Sequence, residues 1–296
     1  MKKILLTGGS GFLGSRIRYF YDQEKQKEWE IYSPTHQEMD MARPGQISDY
    51  VTGLKPDIVI HCGTVADTEY VAQYPRESFQ ITVEGSCHLA ETIKQLQKDV
   101  SFLLMSSDYV YQDKTISGIS YNEKKDALKE DEAGTQNEYG RQKLEAERRC
   151  MEIYPHTIAL RLTWMYDLPA AGLKNKPNFL TNLLEMKKEN KPLTLASHEY
   201  RGITSVWEVV KNLEKAATLP GGSYNFGSSN SLSTFRLGKE LAVTLGLPEA
   251  LLMEDDQRYA DHPRNLTMNL EKVRKYDICF SDTLEGMQCF LPSRLL

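Results

Sequence analysis

The feature that most constrains the fold is a glycine-rich turn directly behind a short apolar run near the start of the chain. The run is Ile4-Leu5-Leu6, and the turn is Thr7-Gly8-Gly9-Ser10-Gly11-Phe12-Leu13-Gly14. A short continuous apolar run is typical of a buried parallel strand, and Leu13, Ile17 and Phe20 follow at near-helical spacing. The order strand, glycine turn, helix therefore predicts the opening unit of an α/β fold.

Each glycine of this turn has a separate physical task. Gly8 permits a tight turn, Gly11 lets backbone approach a phosphate without an intervening Cβ, and Gly14 lets the helix pack closely. The first N–H groups of the helix are unpaired and carry partial positive charge, so they favour a pyrophosphate. The spacing predicts a dinucleotide site, to which Phe12 and Leu13 are also assigned, with a purely structural turn as the weaker alternative.

Size and charge exclude several classes of function. With 296 residues, 40% of them hydrophobic, the chain can bury a sizeable core in one large domain or two smaller ones. A net charge of −5 and the lack of a sustained Lys/Arg block argue against nucleic-acid and membrane-surface partners. A small ligand is therefore the expected partner.

Cysteine usage and targeting signals indicate a cytoplasmic protein. The five cysteines are odd in number and form no C-x-x-C pair, so neither a disulfide framework nor a metal site is predicted. The apolar run after Met1 stops too early for a signal peptide, and no stretch reaches membrane-spanning length. We therefore expect no membrane partner.

The segment after the second apolar run bears on the choice of cofactor. Trp29-Glu30-Ile31-Tyr32 is predicted as a second strand, and the acid that would hold a ribose 2′-hydroxyl is absent at Ser33. This favours NADP(H) over NAD(H), with His36 and Arg16 as candidate cationic neighbours of a 2′-phosphate. Asp40 follows shortly afterwards in the sequence. The alternative to a role of Asp40 at the cofactor is that of an ordinary loop or capping aspartate.

Two further apolar runs complete the predicted nucleotide-binding half. Asp57 to His61 is predicted as a strand ending in the small residues Cys62-Gly63-Thr64, which leave room for a ligand at the strand's carboxyl end. A helix from about Arg76 to Gln97 with a core-facing stripe precedes the next strand, Val100 to Met105. From Tyr111 to Asn137 the pattern becomes irregular and polar, which is typical of a lid or mobile loop.

A tyrosine and a lysine four residues apart are the second informative feature. Tyr139 and Lys143 head a helix predicted to run to about Tyr154, and residues four apart lie on one helix face. A cation beside a phenol stabilises the phenolate and brings the tyrosine pKa closer to neutral pH, where it serves acid or base catalysis. By itself this spacing fits a surface pair on an amphipathic helix equally well.

The glycine turn, Ser107 at the end of the fourth predicted strand, and Tyr139-x-x-x-Lys143 are together similar to the extended short-chain dehydrogenase/reductase family. Within that family the chain resembles the dTDP-4-dehydrorhamnose reductase branch, nearly from end to end. The stretches that carry the resemblance are Ser106 to Tyr111, Asn137 to Glu147, Arg161 to Tyr166, Asn178-Phe179, Arg201 to Thr204 and His262 to Asn265.

The resemblance implies a fold and an activity. The implied fold is a doubly wound parallel sheet of Rossmann type, in residues 1–163 with about 204–228 returning, and a smaller C-terminal substrate-binding lobe, 164–203 and 229–296. The implied activity is NAD(P)H-dependent reduction of the 4-keto group of a nucleotide-diphospho-6-deoxy sugar. A nucleotide sugar is then the partner, and a homodimer is left open.

The resemblance also assigns catalytic and cofactor-binding residues. Ser107, Tyr139 and Lys143 would be the catalytic triad, and the last two would also contact the cofactor. Asp40 and Met41 would flank the adenine and its ribose. The remaining cofactor-binding positions are Gly8, Gly11, Phe12, Leu13 and Gly14 at the pyrophosphate, and Cys62, Gly63 and Thr64 beside the nicotinamide.

Five residues are assigned to the substrate. Ser107 and Asp108 would lie at the sugar, and Trp164 would face it. Arg201 and Arg264 are candidate contacts to the diphosphate, because a guanidinium offers paired donors. Surface ion pairs are the alternative role for these two arginines.

Several departures from the family pattern leave the identity of the sugar open. Cys62-Gly63-Thr64 replaces a run of alanines, Thr82 stands where asparagine is usual, and Tyr70 where lysine is common. The usual proline is absent at Thr135, and the insertion around Lys114 to Lys129 is longer than expected.

Two alternative functions also fit the sequence. One is a nucleotide-sugar epimerase or dehydratase on the same fold, which would keep and recycle its cofactor. The other is a non-catalytic, NADP-binding regulatory subunit, because that of methionine adenosyltransferase is similar in Ser106 to Tyr109 and Pro263-Arg264-Asn265. Trp164 matches the reductase pattern and favours the enzyme.

Overall fold

A computed structural model describes residues 1–24, 28–111, 120–123 and 137–290 of the chain. Most of the irregular polar stretch between Tyr111 and Asn137 lies outside the described residues. The long insertion around Lys114 to Lys129 and the position of the missing proline, Thr135, fall largely or wholly there as well.

Strands and helices alternate through the first half of the chain. Each predicted strand of this half is present, and the glycine turn joins the first strand to the first helix. The elements are β1 (Lys2–Thr7), α1 (Phe12–Glu24), β2 (Trp29–Tyr32), α2 (Pro44–Leu54), β3 (Ile58–His61), α3 (Thr68–Gln73), α4 (Pro75–Phe79), α5 (Gly85–Gln95), β4 (Ser101–Ser107), α6 (Glu138–Ile153) and β5 (Thr157–Leu162).

Shorter strands follow in the second half, again interspersed with helices. Ser233 caps a helix by accepting from the Arg236 N–H, and Gly246 ends that helix with a φ of 58°, in the left-handed region. The elements are β6 (Trp164–Tyr166), α7 (Phe179–Glu189), β7 (Leu193–Ala196), β8 (Glu199–Arg201), β9 (Ile203–Ser205), α8 (Val206–Ala216), β10 (Gly222–Phe226), α9 (Thr234–Leu245), β11 (Leu252–Asp255), β12 (Arg264–Leu266), α10 (Glu271–Arg274) and α11 (Thr283–Phe290).

Six parallel strands form the central sheet in the order β10-β5-β4-β3-β1-β2. The chain runs outward from β1 to β2 and then returns to the other side of β1 with β3, so the winding reverses between β1 and β3. Open α/β sheets bind ligands outside the carboxyl ends of the strands at such a reversal. The prediction of a doubly wound parallel sheet is confirmed, including the return of residues 224–226 to it as part of β10.

Both faces of the sheet are buried, which explains the continuous apolar runs of its strands. Leu6 on β1 belongs to a core cluster with Ile17 of α1 and Val210 of α8. Its neighbour Leu5 points to the opposite face, into a second cluster with Ile93 of α5. Alternate residues of a buried strand therefore serve two different cores.

A third core cluster forms away from the central sheet, among α7, α9 and α11. Leu183, Leu241 and Met287 are fully buried in it. Three two-stranded parallel pairs accompany these helices: β7 with β11, β8 with β12, and β6 with β9. Among the described residues, no helix is long and apolar enough to cross a bilayer.

The helix predicted from Arg76 to Gln97 differs from the prediction in one respect. It consists of α4 and α5 joined by a π-helical turn over Gln80–Glu84. Thr82 and Val83 are buried in this turn, and the predicted stripe does pack into the core. A π-helical turn adds one residue to a helical repeat and is frequent at functional sites, and apolar periodicity alone does not reveal it.

Candidate active site

A cleft of about 920 Å³ opens at the carboxyl ends of β1, β3 and β4, where the winding of the sheet reverses. Fifteen predicted site residues line it together, although they come from seven separate stretches of sequence. They are Gly8, Gly11, Phe12, Leu13, Gly14, Cys62, Gly63, Thr64, Ser107, Asp108, Tyr139, Lys143, Trp164, Arg201 and Arg264. Asp40 and Met41 do not line this cleft.

The glycine turn is as compact as the sequence pattern predicts. Gly8 has a φ of 69°, and the Gly11 N–H donates to the Gly8 carbonyl at 3.0 Å. A Cβ on Gly14 would lie 2.1 Å from the same carbonyl, so α1 can approach the turn only at a glycine. A Cβ on Gly11 would lie 3.2 Å from that carbonyl oxygen and would meet no other atom within 4 Å. A small, unobstructed backbone cradle at a helix N-terminus fits a pyrophosphate.

Asp40 and Met41 are engaged elsewhere. The Asp40 carboxylate accepts from the Ala42 N–H and lies 3.4 Å from the Arg43 Nε and 3.6 Å from the His36 Nε2. Met41 is buried in the core, and its carbonyl packs closely against Gly85. Their contact with an adenine ring stays a prediction.

Arg16 is not available to a 2′-phosphate, contrary to the expectation from sequence. Its side chain is 1% exposed and pairs with the Asp167 carboxylate at 2.9 Å. The same guanidinium donates to the carbonyls of Phe12 and Lys174. Arg16 therefore joins the glycine turn to the segment after β6, while His36 remains exposed.

Tyr139 and Lys143 point into the cleft from one face of α6. Asn137 caps the helix by accepting from the backbone N–H groups of Tyr139 and Gly140. The Lys143 Nζ donates to the Thr64 Oγ1 at 2.6 Å and to the carbonyl of Met105 at 2.9 Å. It lies 5.7 Å from the centroid of the Tyr139 ring. The proximity of Tyr139 and Lys143 that their helical spacing predicted is thus confirmed.

The expected lowering of the Tyr139 pKa by Lys143 is wrong. Burial raises the pKa of Tyr139 above its usual value, and a hydrogen bond to the Ser107 side chain only partly offsets this effect. Burial also lowers the pKa of Lys143 to about 8. At neutral pH the site therefore holds a protonated phenol, which can donate a proton, beside a charged ammonium close to its titration range.

Ser107 is joined to a buried ion pair. Its hydroxyl donates to the Asp108 Oδ1 at 3.1 Å, and the Asp108 Oδ2 accepts from the Arg201 Nη2 at 2.8 Å. The Arg201 guanidinium also lies 5.3 Å from the Trp164 ring centroid. Asp108 and Arg201 are both buried, so a surface ion pair is the wrong description of Arg201.

Arg264 packs against Tyr109, whose ring also makes an edge-on contact with Tyr139 of α6. Its guanidinium is 4.8 Å from the Tyr109 ring centroid, and its Nη1 donates to the Glu199 carboxylate at 3.0 Å and to the Tyr259 hydroxyl at 3.1 Å. The buried Nε atoms of Arg264 and Arg201 have no hydrogen-bond partner within the described residues. Both arginines also line the cleft.

Some residues of the site were missed by the sequence analysis. A Cβ on Gly140 would lie 2.4 Å from the Tyr109 carbonyl, so this glycine lets α6 approach the segment that carries Ser107. A glycine at the third position of a helix was the available signal. Lys176 and Arg258 also line the cleft, and nothing in their local sequence distinguishes them from ordinary surface cations.

This fold and this cleft define a class of enzyme: the chain is an NAD(P)-dependent oxidoreductase of the extended short-chain dehydrogenase/reductase type. Residues 1–285 match the family model described as the RmlD substrate binding domain, and the chain belongs to that family. The resemblance predicted from the sequence is thereby confirmed.

Individual relatives are similar over almost the whole chain. A dTDP-4-dehydrorhamnose reductase of Aggregatibacter actinomycetemcomitans is 21% identical over 292 residues, which cover 93% of each protein. The methionine adenosyltransferase 2 subunit beta of Bos taurus is 21% identical over 294 residues, covering 94% of this chain and 83% of that protein. The crystal structure of a dTDP-4-dehydrorhamnose reductase of Bacillus anthracis in complex with NADP has a TM-score of 0.83 at 18% identity, covering 99% of both chains.

Proposed function

We propose that this protein uses NADPH to reduce the 4-keto group of a nucleotide-diphospho-6-deoxy sugar, as a dTDP-4-dehydrorhamnose reductase of dTDP-rhamnose biosynthesis does. The observation that carries the proposal is the convergence of Ser107, Tyr139 and Lys143 in the cleft onto which the glycine turn opens. The relatives named dTDP-4-dehydrorhamnose reductase support the substrate class.

The residues of the cleft fit a nicotinamide dinucleotide, which when bound supplies a hydride to the carbonyl carbon. The turn from Gly8 to Gly14 would hold the pyrophosphate at the N-terminus of α1. Lys143 would hold the nicotinamide ribose, with the loop Cys62 to Thr64 beside the nicotinamide. Asp40 and Met41 would flank the adenine and its ribose.

Tyr139 would act as the general acid. Because burial raises its pKa, the phenol stays protonated at neutral pH and donates its proton to the carbonyl oxygen as that oxygen gains negative charge. The Ser107 hydroxyl donates to Asp108 and would turn from that carboxylate to hydrogen-bond the same oxygen. Two donors on one oxygen stabilise the negative charge that develops there.

The sugar nucleotide would lie between two parts of the chain. Residues 1–163 with about 204–228 would form the dinucleotide-binding domain, and 164–203 with 229–296 the substrate-binding lobe. The separate core cluster of α7, α9 and α11 supports this division. Trp164 would face the sugar, and Arg201 and Arg264, which line the cleft, would contact the diphosphate through their guanidinium groups.

A preference for NADPH over NADH rests on the segment after β2. No acid follows the strand at Ser33, whose hydroxyl occupies the space that a Cβ on Gly9 would need. An acid at this position would repel a 2′-phosphate, and its absence removes that barrier. Exposed His36 is the remaining candidate cation from the sequence analysis, and a similar solved structure contains NADP.

The direct test is to mix the protein with NADPH and dTDP-4-keto-6-deoxymannose and to follow the absorbance of the reduced nicotinamide. We expect oxidation of NADPH that requires the sugar, with slower oxidation of NADH. Binding of NADPH is measured separately by fluorescence. Tight cofactor binding without net oxidation would favour an epimerase or dehydratase, or the regulatory role described next.

A regulatory role is the second candidate, because the similarity to methionine adenosyltransferase 2 subunit beta covers 94% of the chain. This role predicts co-purification with a synthetase and no turnover of any keto sugar. An enzymatic role predicts that the purified protein alone reduces the keto sugar. One preparation can therefore distinguish the enzymatic role from the regulatory one.

A further inference from the structure

His61 is a buried histidine beside the site with no role in the proposed reaction. It ends β3, is 0% exposed, and has both ring nitrogens within hydrogen-bond distance of a hydroxyl. The Nδ1 lies 2.6 Å from the Thr7 Oγ1, at the end of β1. The Nε2 lies 2.9 Å from the Ser86 Oγ, on α5.

The neighbouring groups assign every proton in this chain of hydrogen bonds. The Ser86 hydroxyl donates its single proton to the Thr82 carbonyl at 2.6 Å, so it can only accept from a protonated His61 Nε2. The Nδ1 of the neutral ring then accepts from the Thr7 hydroxyl. The Thr7 oxygen in turn accepts from the Gly63 N–H at 2.9 Å. We name this chain, from the Thr82 carbonyl to the Gly63 N–H, the His61 relay.

The His61 relay fixes one end of the loop after β3. Gly63 is held through its N–H, and Val65 is held through its own N–H, which donates to the Thr82 Oγ1 at 3.3 Å. Thr64 lies between these two anchors, and its hydroxyl accepts from the Lys143 Nζ at 2.6 Å. The two ends of the loop are therefore tied to β1 and to the π-helical turn, and its centre contacts the catalytic lysine.

We propose that His61 is a positioning residue: as the neutral ring protonated at Nε2, it locks the loop so that Thr64 sets the place of the Lys143 ammonium. The proposal rests on the cofactor-holding role of Lys143 stated above. Without the His61 ring, the Thr7 hydroxyl loses the acceptor for its proton. Thr7 is then no longer held in place, although it is the residue that accepts from the Gly63 N–H. The loop can then shift, and the lysine loses a fixed partner. Burial, which lowers the pKa of His61 to about 3, keeps the ring neutral.

The first test is spectroscopic and needs neither cofactor nor substrate. In 15N-histidine-labelled protein, His61 is assigned by comparison with His61→Asn, and its ring nitrogen shifts are followed between about pH 5 and 8. We expect the Nε2-protonated neutral form throughout. A ring protonated at Nδ1, or one that titrates in this range, overturns the proposal.

The second test is a double-mutant cycle on NADPH affinity, measured by fluorescence in the absence of any sugar. We expect His61→Leu and Thr64→Val each to weaken binding about tenfold, the effect of one lost hydrogen bond to a charged group. Because both changes remove the same constraint, the double variant should bind no more weakly than Thr64→Val alone. Fully additive losses, or unchanged binding by His61→Leu, contradict the proposal.

Two further variants separate positioning from general damage to the fold. His61→Asn keeps an acceptor for the Thr7 hydroxyl and should recover most of the affinity that His61→Leu loses. Val59→Ala, at a buried position on the same face of β3, should lower the melting temperature without changing NADPH affinity. Equal losses of affinity in Val59→Ala and His61→Leu would also overturn the proposal. Since no sugar is present, these outcomes do not depend on the identity of the substrate.

Discussion

The Arg201 guanidinium and the Asp108 carboxylate meet across 2.8 Å in the interior of the protein, although 93 positions separate them in the sequence. The pair joins β8 to the turn after β4, and the second carboxylate oxygen of Asp108 accepts from Ser107. The charge that neutralises Asp108 therefore also supports the residue that would face the substrate carbonyl.

Removing one partner of this buried pair should be costly. We expect Arg201→Met to lower the free energy of unfolding by about 3–5 kcal/mol, because it leaves the buried Asp108 charge without its partner. Adding Asp108→Asn should restore part of that loss. The matched control is Arg148→Ala, whose half-exposed ion pairs should cost at most about 1 kcal/mol. Urea denaturation measures the free energy of unfolding of the single variant, the double variant and the control. A smaller loss in Arg201→Met than in Arg148→Ala would contradict the assigned role of the pair.

Loss of the Tyr139 hydroxyl should separate chemistry from binding. Tyr139→Phe removes the proposed general acid, so kcat should fall by roughly 10²–10⁴ while NADPH affinity is retained. Tyr74→Phe, at an exposed tyrosine near the start of α4, provides the control and should leave kcat unchanged. Near-normal turnover in Tyr139→Phe would remove the tyrosine from the mechanism.

The lowered pKa of Lys143 predicts opposite pH trends for binding and for stability. NADPH affinity should fall as pH rises through about 8, because the ammonium loses its proton. In the unfolded chain a lysine titrates near about 10.4, so between the two values the unfolded state binds more protons and this group's contribution to stability rises with pH.

Comparison with Lys143→Met isolates both trends. The difference in free energy of unfolding between wild type and variant should shift in favour of the wild type from about pH 8 to 10. The pH dependence of NADPH affinity in this range should be lost in the variant. An affinity of the wild type that is constant across the same range contradicts the pKa of about 8.

A single methyl group on Gly140 should push α6 away from the segment that carries Ser107. Gly140→Ala places a Cβ 2.4 Å from the Tyr109 carbonyl, so α6 must move and kcat should fall more than NADPH affinity. In Gly53→Ala, also in a helix, the new Cβ meets no atom within 4 Å. This control should gain about 0.5–1 kcal/mol of stability, because alanine favours the helix. Wild-type turnover in Gly140→Ala would show that the contact does not position Tyr139.

The features predicted correctly are those that short stretches of sequence encode. Strands β1, β3 and β4 of the central sheet are visible as apolar runs because both faces of a parallel sheet are buried. The glycine turn is visible because its backbone conformation and close contacts exclude side chains, as at Gly8 and Gly14. Tyr139 and Lys143 could be placed on one face because helical spacing is a local rule.

The errors arose where a residue's surroundings come from distant parts of the chain. Arg16 looked free to bind a phosphate, but its partner Asp167 lies 151 positions away. For Arg201 a surface ion pair was the alternative to a contact with the diphosphate, and the structure pairs it instead with the buried Asp108. Sequence spacing contains no information on such pairings, because they depend on how the second half of the chain packs on the first.

The sequence by itself determined the alternation of strands and helices, the compact glycine turn and the pairing of Tyr139 with Lys143, since each depends on the preferences of neighbouring residues. The tertiary structure decided the protonation of the site. Proximity to Lys143 suggested a lowered tyrosine pKa, yet burial raises the pKa of Tyr139 and lowers that of Lys143. Desolvation depends on every element that closes over a group, and only the folded chain brings those elements together.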